Sequence, residues 1–86
     1  MISNGRVSVG TVATAIDGVY NGYADITLHN DDNTDAVYLG GADVTVSNGL
    51  RLNRLESIAF RLSPLSQIYA VSDKAGHTIS YLRQTV

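Results

Sequence analysis

The feature that most constrains this chain is alternation. Apolar and polar residues trade places at every second position in one short run after another, with turn residues interrupting roughly every 8–12 positions. A period of two puts successive side chains on opposite faces of an extended strand, so the pattern calls for half-buried strands rather than helices. In "RVSVGTVA", Val7 and Val9 share one face and Arg6 and Ser8 the other; the phase slips at Gly10, where a bulge or bend is expected. "YADITLHN" sets Ala24, Ile26 and Leu28 against Tyr23, Asp25, Thr27 and His29. "AVYLG" reads as a strand, and "DVTV" after Gly40-Gly41 as a short one. "QIYAVS" and "HTISYLR" close the chain, split by "DKAG", whose Gly76 suits a left-handed turn position.

One stretch, "LRLNRLESIAFRLSP", fits two periods. Leu52, Leu55, Ala59 and Leu62 make a helical stripe, whereas Ile58, Phe60 and Leu62 make one face of a strand. A helix here would leave a β domain short of a strand, so a turn over 53–56 followed by a strand is favoured, with Pro64 ending it. Asn-Gly, a strong turn signal, occurs at 4–5, 21–22 and 48–49. Gly40-Gly41 lacks the spacing of a phosphate loop and is read as backbone that needs positive φ. The expected fold is all-β: a single domain over residues 1–86, a small antiparallel β-sandwich or jelly-roll-like barrel of about seven to eight short strands. Residues 1–6 are read as an extended N-terminal arm.

A chain of 86 residues has a marginal core, and small domains often compensate with disulfides, metals or partners. Cysteine is absent, which removes disulfides and thiolate metal sites. A net charge of −2 gives no case for nucleic acid. No apolar run approaches the ~20 residues of a membrane span, and "MISNGRVSVG" lacks the regions of a signal peptide, pointing to use without secretion. Charge is uneven along the chain. Residues 1–50 hold Arg6 against six aspartates, and residues 51–86 hold five basic residues against Glu56 and Asp73. Strand interleaving would mix the two signs; failing that, they would steer head-to-tail association.

Few residues suggest chemistry. His29 and His77 have no adjacent nucleophile motif and read as surface histidines near turns, so no enzyme is expected. Asp31, Asp32 and Asp35, with Asn30 and Asn33, offer hard oxygens for Ca²⁺ but lack the EF-hand glycine and glutamate. They read as turn residues that cap backbone amides, and no metal or cofactor is assigned. Arg51, Arg54 and Arg61 form a basic group suited to a partner contact. Tyr20 and Tyr23 flank Asn21-Gly22 and are the candidates for a ligand surface.

Taken together, "VATAI", "ITLHN", "AVYLGGADVTVSNGLRL" and "IYAVS" resemble a pattern of small tailed-phage virion β-proteins, the capsid decoration or cement proteins and head accessory modules. The match runs from Val12 to Val86 and is densest over Val37–Leu52; it departs at "NRLES", where that family often has an acidic-Gly turn. The resemblance implies a non-enzymatic protein made in the host cytoplasm that binds the major capsid protein on the outer surface of a virion and stabilises the shell. It implies a homotrimer, with Arg51, Arg54, Arg61 and Arg6 as contacts and the arm Met1–Arg6 across a neighbour. The alternative is a receptor- or carbohydrate-binding module of a phage tail or fibre, using Tyr20 and Tyr23.

Overall fold

The computed structural model describes all 86 residues. It contains eight strands and no helix: β1 (Ile2–Val9), β2 (Thr14–Ala15), β3 (Ala24–Asn30), β4 (Val37–Gly40), β5 (Leu50–Leu52), β6 (Ser57–Leu62), β7 (Tyr69–Val71) and β8 (His77–Thr85). They form two four-stranded antiparallel sheets, ordered β1-β8-β3-β6 and β2-β7-β4-β5. The expected small β-sandwich is the fold of the chain, and the ambiguous stretch is the strand β6.

Alternation builds the core. Val9, Ile26, Leu28 and Ile79 from the first sheet meet Ile16, Val37, Leu39, Leu52 and Ala70 from the second, and all are buried. Each fully buried aliphatic side chain contributes about 1.5–3 kcal/mol relative to exposure. Ile58, Phe60 and Leu62 pack against this cluster from β6, while Ala59 and Arg61 face outward.

Several local readings need correction. Residues 1–6 are not a free arm: β1 pairs with β8 along its whole length, from Ile2↔Gln84 to Val9↔His77. Asn4-Gly5 therefore lies inside a strand and not in a turn. Gly5 is opposite Tyr81, whose ring covers it; an added Cβ would meet Tyr81 Cε1 at 3.0 Å. No bulge forms at Gly10. The chain leaves the first sheet there, Gly10 O accepts from Ser72 N at 2.8 Å, and the phase slip is the crossing to the second sheet. "DVTV" forms turns, not a strand, because Val44 N bonds back to Gly41 O and Gly49 N to Thr45 O.

The glycines that frame those turns serve proximity and not positive φ, which among the glycines is confined to Gly76. The Val44 side chain is wedged between Gly40 and Gly49. A Cβ at Gly49 would lie 2.7 Å from Tyr38 Cβ, 2.8 Å from Val44 Cγ2 and 3.1 Å from Thr45 O. Gly49→Ala is therefore expected to destabilise the fold by about 2 kcal/mol through overpacking. Gly18→Ala, with nothing within 4 Å of the new methyl, is expected to leave the thermal midpoint unchanged or slightly raised. Equal midpoints for the two variants would contradict this account of Gly49.

Candidate functional site

Hydrogen-bond parity decides which backbone groups the first sheet leaves open. Asn30 N donates to Glu56 O, so residues 58, 60 and 62 of β6 face β3, and Ser57, Ala59 and Arg61 turn their N–H and C=O outward. Thr85 N donates to Met1 O, so odd residues of β1 face β8, and Ile2, Asn4, Arg6 and Ser8 turn theirs outward. Both outer strands of this sheet present rows of unpaired donors and acceptors. Natural edges are blunted by proline, charged side chains, bulges, extreme shortness or a covering element, and each of these two edges carries one outward arginine, Arg6 or Arg61. Neither β1 nor β6 contains proline, and the inward residues Ser3, Gly5, Val7, Ile58, Phe60 and Leu62 are uncharged. The second sheet is different: its edges β2 and β5 have two and three residues.

The outer face of the first sheet carries a polar row in register, Arg6–Ser80–His29–Ser57. His29 Nδ1 is 2.7 Å from Ser57 Oγ, and Ser80 Oγ donates to Asp31 Oδ2. The residue types are those of a Ser–His–acid relay, but His29 Nε2 is 3.8 Å from Asp31 Oδ1, beyond hydrogen-bond reach. Beside this row, Arg6, His29, Asp31, Asp32, Leu55 and Thr78 border an open groove of 680 Å³.

The β3–β4 connection forms the groove wall. Asp32 Oδ1 accepts from Thr34 Oγ1 and Thr34 N, both at 2.7 Å, and from Asp35 N at 3.2 Å. The Thr34 hydroxyl, then its amide, hold the Asp32 carboxyl well below the usual carboxylate range. Of the three aspartates read as turn caps, Asp32 is one; Asp31 instead accepts from the Ser80 hydroxyl, and Asp35 accepts from side chains. Asp35 Oδ2 pairs with Lys74 Nζ at 3.2 Å, which raises the lysine pKa. Asn30, at the end of β3, is fully buried: its Nδ2 donates to Asp35 O (3.0 Å), Leu52 O (3.2 Å) and Asn53 O (3.2 Å). Its Oδ1 accepts from Asp32 N at 3.0 Å. His77, expected at the surface, is 3% exposed, because it opens β8 on the inward parity.

The other candidate residues do not converge. Arg51 donates to Asn53 Oδ1 at 2.8 Å and, with Arg54, borders a 220 Å³ depression. Arg61 pairs with Asp25 at 2.8 Å on the outer sheet face, and the pairing lowers the aspartate pKa and raises the arginine's. Arg6 lies 4.0 Å from Asp31. Tyr20 is committed beneath the Arg83 guanidinium, 5.5 Å from its ring centroid, and Tyr23 is 53% exposed. Arg83 also reaches Asp17 at 3.2 Å. Three ion pairs, Arg61–Asp25, Lys74–Asp35 and Arg83–Asp17, thus join the acidic and basic halves of the sequence within the molecule, as strand interleaving requires. Arg6 and Arg61 lie on the outer strands β1 and β6, but that these strands are open edges, and the part played by Arg83, escaped the sequence reading. Strand pairing order, which sets both, is not a local pattern.

No protein-family model matches the chain, and no curated protein does. Among solved structures, the chain is similar to one of Bacillus endospore appendages, which form a family of disulfide-linked pili, with a TM-score of 0.59 and 20% identity. The match covers 99% of this chain and 88% of the other. That likeness defines the fold. The expectation of a phage capsid-decoration protein is corrected here, since the structural match leads to a bacterial appendage and not to a capsid protein.

Proposed function

We propose that this chain is a structural protein that adds to copies of itself, edge to edge, to build an open-ended filament without covalent links. The observation that carries this reading is the geometry of the β1-β8-β3-β6 sheet. Its strands alternate strictly in direction and are even in number. The β1 edge of a second copy, placed beside β6 in the same orientation as the first, therefore meets it antiparallel. Each addition leaves the same pair of edges open, and a heterologous contact of that kind does not close. The right-handed twist between strands winds such a stack into a helix rather than a flat ribbon.

Register follows from the pleat. Outward backbone groups on β6 (57, 59, 61) must oppose outward groups on β1 (2, 4, 6, 8). A one-residue slip would turn core side chains to solvent, so pairings in which Ala59 opposes Asn4 or Arg6 satisfy all three β6 positions. The structural likeness to appendages that form pili supports the same reading. Those pili are disulfide-linked, whereas this chain has no cysteine, so backbone hydrogen bonds would join its copies.

Ala59→Pro tests the proposal. The Ala59 N–H points off the edge, so proline removes no hydrogen bond within the subunit but blocks the next one. Sedimentation velocity should give large species for the wild type and monomer for A59P, with matching circular dichroism. Undiminished assembly of A59P would overturn the edge contact, and a discrete wild-type trimer would replace the filament with a closed ring.

A further inference from the structure

We propose that Asp32, Asp35 and His77 bind a divalent transition-metal ion of the Zn²⁺ class, which staples the β3–β4 loop to the start of β8. The argument begins with His77. Its side chain is 4% exposed; Nδ1 lies directly against Asp32 Oδ2, and Nε2 has no hydrogen-bond partner. Leaving a buried ring nitrogen unmatched is costly. An imidazole held against a carboxylate, with its second nitrogen unserved, is an arrangement a bound cation would satisfy. Asp35 completes the group: one ligand atom from each of the three residues lies within 4.8 Å of the others. An ion bonded at about 2.1 Å to each would hold them within about 4.2 Å of one another, a side-chain adjustment rather than a backbone one.

The surroundings suit a ligand set. Asp32 Oδ1 is fixed by Thr34 and the Asp35 amide, which leaves Oδ2 directed at the site, as supporting hydrogen bonds do around metal-binding carboxylates. Asp35 Oδ2 already attracts a cation, the Lys74 ammonium, on a side chain that is 63% exposed and free to swing away. One imidazole and two carboxylates favour Zn²⁺, Co²⁺ or Mn²⁺ over Ca²⁺, which takes oxygen ligands alone. A fourth position would open toward the groove that Asp32 borders. A small cysteine-free domain is a natural user of such a staple.

The test uses the whole chain, freed of metal by chelation, then titrated with Zn²⁺ by calorimetry and thermal melting. Binding should be saturable at one ion per chain, and free metal a hundredfold above Kd should shift the folding equilibrium about a hundredfold. Asp35→Asn keeps an oxygen to accept from the Thr34 hydroxyl and loses the pairing with the exposed Lys74, so its metal-free melt should stay close to the wild type while its affinity drops at least tenfold. His29→Ala, outside the site, should bind normally. His77→Gln should abolish binding, and Co²⁺ loaded into the wild type should show the visible spectrum of nitrogen and oxygen ligation. No midpoint shift with Zn²⁺, unchanged affinity in Asp35→Asn, or loss in His29→Ala would each overturn the proposal.

Discussion

Arg83→Ala is expected to destabilise the fold by about 3 kcal/mol, because removing one partner of a buried ion pair strands the other. Arg83 and Asp17 side chains are only 15% and 13% exposed, and their atoms approach to 3.2 Å. The approach is not aligned as a hydrogen bond, since Asp17 Oδ2 lacks one, so the lower end of the usual penalty applies. The same guanidinium covers Tyr20 and reaches Ser3 Oγ at 3.4 Å, so it ties the loop after β2 to both β1 and β8. A domain of this size has stability of about 5–10 kcal/mol, and a loss of 3 lowers the midpoint by roughly 12–24 °C. Adding Asp17→Asn should recover part of the loss, because the stranded charge is gone. A loss below about 1 kcal/mol would mark the pair as an ordinary solvent-screened contact.

Asn30→Ala is the other large expected effect, also about 3 kcal/mol, for a different reason. The amide serves three carbonyls with two hydrogens, one of them shared, and accepts from Asp32 N. Its loss leaves the Leu52 carbonyl buried without that donor and frees the β3–β4 turn. Asn30→Asp should be at least as harmful, since it sets a carboxylate against three carbonyl oxygens. Urea unfolding read by circular dichroism gives both values. An Asn30→Asp variant as stable as the wild type would show that the three carbonyls do not depend on the amide donor.

The contrast between these residues explains what was readable from the sequence. Alternation located β3, β4, β6 and β8 because burial acts on every second residue of a strand, whatever lies beside it. It also named Ala24, Ile26 and Leu28 as core. Asn30 and Asp32 were legible as turn residues, because an Asx cap is made within a few positions. Which strands become neighbours is set by the global fold. Arg83 facing Asp17, His77 facing Asp32, and bare β1 and β6 edges all depend on that order. Glycine misled in a similar way. Gly40 looked like a positive-φ position and Gly49 like a turn residue, which it is; both are also kept small by Val44, a neighbour the local pattern does not reveal.

The absence of native cysteine makes the central claim directly measurable. Within one subunit, β1 and β6 are separated by two intervening strands, so their Cα atoms lie about 14 Å apart, twice the reach of a disulfide. Ala59→Cys combined with Asn4→Cys, or with Arg6→Cys for the alternative register, should on mild oxidation give a ladder of covalent multimers on a non-reducing gel, whereas each single-cysteine variant stops at a dimer. Monomers or dimers alone from both double variants, under conditions where the wild type sediments as large species, would contradict edge-to-edge assembly through β1 and β6.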